Sequence, residues 1–398
     1  MRPTVIAAAT WLVAAGVTAQ PLYTEVTATH LPPGLAGRCM NAAAGDADGD
    51  GDLDLVLAME FEPKILLLND GRGRFSDASV ELPRTVHDSE DIAFADFDGD
   101  GDLDLVLVSE DDRTDELYFN DGQARFSDLS ERLVPDDVSN GLAVLDLSGD
   151  GAPDVLTGNI GVDRALINDG KGNFRDETAT RWRQRRGESR TQELEAFDAD
   201  GDGDLDVAVA NEGQNQLYRN DDGVLVDVTA TNLPRGNDES REIRAADFDA
   251  DGDLDLVVAN VRFVLDEPER DALLLNDGRG VFTPAPPDWQ PAGRDRNNFS
   301  IQVLDIDSDG DVDIVSPSTV FDNAAGEYRV LLNDGRARFT DAAPGSVLPA
   351  GVDGNGFDTE VADFDGDGRA DLFLCNRASE ADARRSGGLQ RLLLGRAP

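Results

Sequence analysis

Asp46-Ala-Asp48-Gly-Asp50-Gly-Asp52-Leu-Asp54 runs directly into the apolar segment Leu55-Val56-Leu57. Side-chain oxygens at positions one, three, five and nine, with a glycine at six for the sharp turn, make an all-oxygen cage. The residue at position seven adds its backbone carbonyl. Such a cage suits a hard cation that takes about six to eight oxygen ligands, Ca²⁺ ahead of Mg²⁺. An EF-hand would place a bidentate Glu at position twelve, inside a helix. Here position twelve is Leu57, in an aliphatic run that reads as a strand. The stretch predicts a calcium loop joining two strands.

The pattern recurs along the chain, as Asp96-Phe-Asp98-Gly-Asp100-Gly-Asp102-Leu-Asp104 and Asp146-Leu-Ser148-Gly-Asp150-Gly-Ala152-Pro-Asp154. Next come Asp198-Ala-Asp200-Gly-Asp202-Gly-Asp204-Leu-Asp206 and Asp247-Phe-Asp249-Ala-Asp251-Gly-Asp253-Leu-Asp255. The last two are Asp305-Ile-Asp307-Ser-Asp309-Gly-Asp311-Val-Asp313 and Asp363-Phe-Asp365-Gly-Asp367-Gly-Arg369-Ala-Asp371. Successive starts lie 50, 50, 52, 49, 58 and 58 residues apart. Repeats of roughly 40 to 50 residues point to propeller blades, so the expected fold is an all-β, seven-bladed β-propeller. Up to seven Ca²⁺ are expected. The third loop, with Ser148 and Ala152, is expected to bind weakly or not at all; Arg369 matters less, because its position donates only a carbonyl.

Each repeat reads as four short strands. The turn between the third and fourth is Asn-Asp-Gly at Asn69, Asn120, Asn168, Asn276 and Asn333, with a longer version at Asn220. These residues supply the positive φ that a tight hairpin needs. A Phe follows in most copies (Phe75, Phe126, Phe174, Phe282, Phe339), as expected of packing between neighbouring sheets. The seventh repeat lacks its last strand, but Leu22-Tyr-Thr-Glu-Val-Thr-Ala-Thr-His-Leu-Pro32 matches Leu225-Val-Asp-Val-Thr-Ala-Thr-Asn-Leu-Pro234. The segment 22–33 is therefore expected to complete the last blade and close the ring, which removes exposed sheet edges. Residues 20–398 then form one domain.

These features resemble the FG-GAP or VCBS-type repeat family, of the secreted bacterial type, whose seven-bladed propeller is seen in the integrin α-subunit head. The resemblance implies calcium held between the first two strands of each blade, serving rigidity, and partner binding on the opposite face.

The net charge is −46, and the seven loops alone hold 32 Asp, so much of the acidity is ligand carboxylate. Binding to nucleic acid is disfavoured, because a phosphate backbone needs Lys and Arg to neutralise it. Met1-Arg2, the apolar stretch 5–17 and Val17-Thr18-Ala19 read as a signal peptide over residues 1–19, cleaved before Gln20, against the alternative of a buried N-terminal helix. No later run approaches the ~20 apolar residues of a membrane span. A secreted or periplasmic monomer is expected.

Cys39 and Cys375 would then meet oxidising conditions. Both are expected at the face opposite the loops, in blades that become neighbours on closure. A disulfide there would close a loop of 336 residues (375 − 39), worth roughly 5 kcal/mol by chain entropy. The alternative is two buried thiols.

Uneven long connections at 181–190, 261–271, 286–298, 318–328 and 377–388 mark the side where binding would evolve. Arg181, Trp182, Arg183, Arg185 and Arg186 form the one basic stretch. They read either as a site for an acidic glycan or carboxylate partner, with the indole as platform, or as a solvated loop. Asp91, Glu193, Glu242 and Asp358 occupy equivalent positions in four blades. They read either as a ring at one mouth of the channel or as inter-blade hydrogen-bond acceptors near Arg244. His30 and His87, the only histidines, lie in no nucleophile–base spacing. The expected function is a binding or adhesion scaffold for an extracellular glycan or protein. The alternative is a polysaccharide lyase or phospholipase carried on a propeller.

Overall fold

The second strand of every repeat is apolar at consecutive positions, and the packing explains why. In the strand Asp54–Pro63, Leu55 and Leu57 face the preceding sheet while Val56 and Ala58 face the following one. Side chains alternate across a strand, so a sheet buried on both faces needs an unbroken apolar run. The computed structural model describes residues 20–133, 137–184, 189–261, 271–287, 289, 297–319, 326–377 and 388–396.

Seven four-stranded antiparallel sheets follow one another as the blades of a β-propeller. Blade one is Cys39–Gly45, Asp54–Pro63, Ile65–Asn69 and Phe75–Asp77; blade two is Val86–Ala95, Asp104–Ser109, Glu116–Asn120 and Phe126–Asp128. Blade three is Ser139–Leu145, Asp154–Gly161, Arg164–Asn168 and Phe174–Asp176; blade four is Ser189–Phe197, Asp206–Gly213, Gln216–Asn220 and Leu225–Asp227. Blade five is Asp238–Ala246, Asp255–Asn260, Ala272–Leu275 and Thr283–Pro284; blade six is Gln302–Leu304, Asp313–Thr319, Tyr328–Leu332 and Thr340–Asp341. Blade seven takes Gly356–Ala362, Asp371–Asn376 and Arg391–Gly395 from the C-terminal end and Tyr23–Glu25 from the N-terminal end, with Tyr23 opposite Gly395.

The core is divided as the repeat predicts. Seven separate apolar clusters each lie between two adjacent blades, including the one between blades seven and one. Edge-on aromatic pairs link neighbouring blades: Phe75 with Phe364, Phe97 with Phe174, Phe197 with Phe282 and Phe248 with Phe339. The Phe after the turn is thus an inter-blade packing residue, as expected.

Closure is both covalent and polar. Cys39 and Cys375 are joined, with Cα atoms 5.4 Å apart, inside the cluster shared by blades one and seven. Arg391 of blade seven donates to Glu25 at 2.6 Å, and Arg377 grips Glu60 of blade one through two bonds of 2.5 and 2.7 Å. No helix among the described residues is long and apolar enough to cross a membrane. The expected signal peptide at 1–19, and most of the long connections, lie outside the described residues.

Candidate functional site

In each Asp-rich loop the aspartate at position one is the hub. Asp46 accepts the amides of Gly49 and Asp50 on Oδ1 (2.8 and 3.1 Å) and that of Gly51 on Oδ2 (3.0 Å), which wraps the loop around its carboxylate. The aspartate at position nine is buried and ties the loop to the turn. Asp54 accepts from Ala47 N at 2.9 Å and Asn69 N at 2.8 Å; Asp104, Asp206, Asp255 and Asp313 repeat the pattern. Burial pushes these groups up, Asp54 and Asp206 to about 6 and Asp104, Asp255, Asp313 and Asp371 to about 7.

Position three accepts the position-five amide at Asp48, Asp98 and Asp365, but in the other four loops it holds an oxygen that meets no donor. Asp200 Oδ1, Asp249 Oδ1 and Asp307 Oδ1 are buried and unpartnered, and so is the Ser148 hydroxyl in the third loop. Burial and the neighbouring carboxylates push the acids at this position upward. Oxygens of Asp96, Asp98 and Asp104 lie within 4.8 Å of one another, as do those of Asp198, Asp200 and Asp206; positions one, three and five do the same at Asp46 and Asp247. A buried carboxylate oxygen with no hydrogen-bond donor is costly unless a cation meets it. The residues present therefore fit a hard divalent ion. Position seven stands apart: the Asp52, Asp102, Asp253 and Asp311 side chains lie against the glycine of the Asn-Asp-Gly turn, where a Cβ would collide with them.

Two loops depart from glycine at position four, where Ala250 has φ 60° and Ser308 has φ 62°. L-residues pay roughly 1–2 kcal/mol in this left-handed region. Ala250→Gly and Ser308→Gly should each stabilise the fold by about 1 kcal/mol, read from the urea midpoint at unchanged slope. A destabilised variant would contradict the strain.

The turn asparagines do more than turn. Asn120 Nδ2 donates to Ala47 O of the preceding blade's loop at 2.7 Å, and Asn69, Asn168, Asn276 and Asn333 make the equivalent bond at 2.8 Å. Five of the seven loops are thereby held by their own blade and by the next.

On the opposite face the first strand of a blade carries a bulge six residues ahead of the loop. Register breaks between Cys39 and Asn41, Ser89 and Asp91, Ser139 and Gly141, Thr191 and Glu193, Ser240 and Glu242, and Gly356 and Asp358. The residues at that offset are Met40, Glu90, Asn140, Gln192, Arg241, Phe299 and Phe357, and all seven line one cavity of about 280 Å³. Phe299 and Phe357 stack with centroids 4.5 Å apart, capped by Arg241 over Phe299 (5.7 Å) and Arg377 over Phe357 (5.2 Å). The sequence held this signal in its fixed offset from each loop, but nothing in one repeat marks a residue as facing its six counterparts.

Asp91, Glu193, Glu242 and Asp358 also line this cavity, and for three of them the two readings hold together, while Glu193 accepts Leu194 N of its own strand at 3.0 Å. Asp91 accepts Leu142 N at 2.8 Å, Glu242 accepts Ile301 N at 2.7 Å and Asp358 accepts Ala42 N at 3.0 Å, each from the next blade. Arg244 pairs with Glu242 and, at 3.6 Å, with Glu195. Burial pushes Asp91 and Glu242 up to about 7, against the pull of Arg244. Glu360, which accepts Ala44 N at 3.0 Å, is pushed up to about 8 by burial and then by Asp358.

A raised carboxyl value means the folded state holds its proton more tightly than the unfolded state, where Glu titrates near ~4.3. The resulting penalty is absent below about pH 4, grows as pH rises and is complete above about pH 8. Glu360→Gln should match wild type at pH 4.5 and exceed it at pH 8 by roughly 2–4 kcal/mol. Urea unfolding at both pH values measures this, and parallel curves would contradict it.

The basic stretch departs from expectation. Trp182 is 2% exposed, edge-on to Tyr218 at 5.5 Å, and Trp182–Arg183 pairs with Leu225–Asp227. Its indole is core and offers no platform, because the outer strand of blade four seats it. Arg181 is engaged by Glu177 at 2.7 Å and Gly223 O at 3.0 Å. Arg183 is exposed. Arg185 and Arg186 lie outside the described residues.

The FG-GAP-like repeat profile matches residues 46–107, 96–157, 146–209 and 198–258, together more than half of the chain. A solved lectin from Agrocybe aegerita, described as recognising non-reducing terminal N-acetylglucosamine, is 19% identical with a TM-score of 0.51, over 77% of this chain and 79% of its own. BBS1N, solved in complex with ARL6DN and soaked with lead, is 12% identical with a TM-score of 0.60, over 95% of this chain and 99% of its own. At these identities the likeness is one of fold. No curated protein matches the chain.

Proposed function

The chain belongs to the FG-GAP-like repeat family, and from that premise we propose that it is a calcium-stabilised, exported binding propeller that holds a glycan or protein partner at the mouth opposite its Asp loops. One observation carries the reading. The loop face repeats nearly the same residues seven times, whereas the bulge position facing the mouth holds Met, Glu, Asn, Gln, Arg, Phe and Phe. A scaffold repeats what keeps it rigid and varies what it presents. The cavity mixes stacked rings with amides, arginines and carboxylates, the lining that fixes a polar ligand's orientation. The glycan described for the similarly folded lectin supports looking first at sugars.

In this reading Ca²⁺ sits in the loops, held by positions one, three, five and nine with the position-seven carbonyl, and the chain itself performs no reaction. The test is a glycan array and a protein-binding screen on the calcium-loaded chain, repeated with Gln192→Ala and Phe357→Ala. Binding that falls at least tenfold in these variants, at unchanged calcium content, supports the mouth. Binding untouched by both variants overturns it. Turnover of an acidic polysaccharide or a phospholipid would instead favour the enzyme reading.

A further inference from the structure

The rim of the mouth follows a repeating plan. Eight residues ahead of each loop, the first strand offers a backbone carbonyl to the amide fourteen residues after the loop's start. Arg38 O accepts Glu60 N at 2.9 Å, Asp88 O accepts Glu110 N at 3.2 Å, and Asn355 O accepts Arg377 N at 2.8 Å. In blades one and four the two side chains at these positions are an arginine and a glutamate. Arg38 approaches Glu60 at 4.0 Å, and Arg190 binds Glu212 at 2.5 Å.

Blade two alone carries an acid at both positions. Where its sisters carry Arg38 and Arg190 it carries Asp88, facing Glu110, with Asp111 next in the chain and Glu60 opposite in the register. Oxygens of Asp88, Glu110 and Asp111 lie within 4.8 Å of one another. Asp88 is 2% exposed; its Oδ2 accepts Asp111 N at 3.1 Å, and its Oδ1 is buried without any partner. None of the three carboxylates forms an ion pair among the described residues. The nearby arginines are committed elsewhere, Arg377 to Glu60, and Arg190 and Arg241 to Glu212.

We propose that Asp88, Glu110 and Asp111 hold a divalent cation at the rim of the mouth, a site of a different kind from the seven loops, in which the ion stands where blades one and four place an arginine. Three carboxylates with a buried, donorless oxygen need a compact positive charge. An ion with metal–oxygen bonds of about 2.3–2.6 Å spans oxygens at this separation. The donors are all oxygen, which suits a hard ion, and Ca²⁺ tolerates more varied geometry than Mg²⁺ with its stricter octahedral demand. Glu110 also lines the cavity, so the ion's remaining positions open towards whatever enters the mouth.

The test counts ions. The full chain, disulfide intact and stripped of metal, is titrated with Ca²⁺ alone, and bound ions are read by native mass spectrometry. Wild type should bind one ion more than Asp88→Arg, which rebuilds the arginine–glutamate pair of the sister blades. It should also bind one more than the double variant Glu110→Gln, Asp111→Asn. In excess EDTA, Asp88→Arg should melt at or above wild type, since its guanidinium replaces the ion. Asp98→Ala, in the second loop, serves as the control and should lose one ion independently. Equal counts in wild type and both rim variants, with the control still losing one, overturn the rim site and leave the loop reading standing. A wild type that binds no calcium overturns both. If Asp88→Arg does not fold, the count for the double variant decides.

Discussion

Stripping calcium with EDTA should lower the melting temperature by on the order of 20 °C, with recovery on adding Ca²⁺ and poor recovery with Mg²⁺. An ion bound only by the folded state contributes about 2.7 kcal/mol when present at a hundredfold its dissociation constant, so the six loops with a full Asp set together contribute on the order of 15 kcal/mol. The unfolding entropy of a chain of this length converts that to the shift given. Removing the ions also leaves each loop with several facing carboxylates and, at Asp200, Asp249 and Asp307, a buried oxygen without a donor. The effect should differ by blade. Asp98→Ala should lower stoichiometry by one, whereas Ser148→Ala should change it little. The third loop keeps the same backbone wrap around Asp146, with Gly149, Asp150 and Gly151 amides at 2.8, 3.0 and 2.8 Å. An unchanged melting temperature in excess EDTA would show that the wrap alone holds the loops.

Breaking the Cys39–Cys375 bond should be the largest single covalent loss. The bond spans 336 residues and clamps the joint between the first and last blades. Chain entropy sets its contribution at about 5 kcal/mol, and both residues are fully buried, so the paired substitution Cys39→Ala, Cys375→Ala also leaves the cluster underfilled. Urea unfolding of this variant should show a midpoint lowered by that amount at constant calcium. The joint also has Tyr23–Glu25 in its sheet, the Arg377–Glu60 clamp and the Asn69–Phe364 bond, so the variant should still close. A midpoint within about 1 kcal/mol of wild type would mean those contacts already fix the joint without the disulfide.

What could be read from the sequence was what the repeat period enforces. The loops, the Asn-Asp-Gly turns, the two-faced second strands and the N-terminal match to residues 225–234 are all local patterns copied at a fixed spacing, so each copy corroborates the others. The disulfide was reachable because strand direction placed both cysteines at one end of adjacent blades. Features made by different blades meeting were not legible in the same way. Phe299 and Phe357 sit 58 residues apart and stack only because their blades are neighbours around the channel. The second role of the turn asparagines, reaching into the preceding blade, hides behind their first. Trp182 misled for a related reason: four flanking arginines suggested solvent, but the outer strand of blade four supplies a slot for the indole. The acidic set at Asp91, Glu193, Glu242 and Asp358 was half legible, since position showed they share a ring and only geometry showed that Asp91, Glu242 and Asp358 stitch their blades to the next.

The central claim is that the Asp loops are metal sites, and a calcium count on the native chain tests it most directly. Six loops have Asp at positions one, three, five and nine, and one has Ser148 instead at position three. Native mass spectrometry of the stripped chain, reloaded stepwise with Ca²⁺, should therefore show six ions entering as one tight class. The ions of the Ser148 loop and of the Asp88 rim should follow more weakly. A chain that keeps its bare mass at saturating calcium while remaining folded would contradict the account.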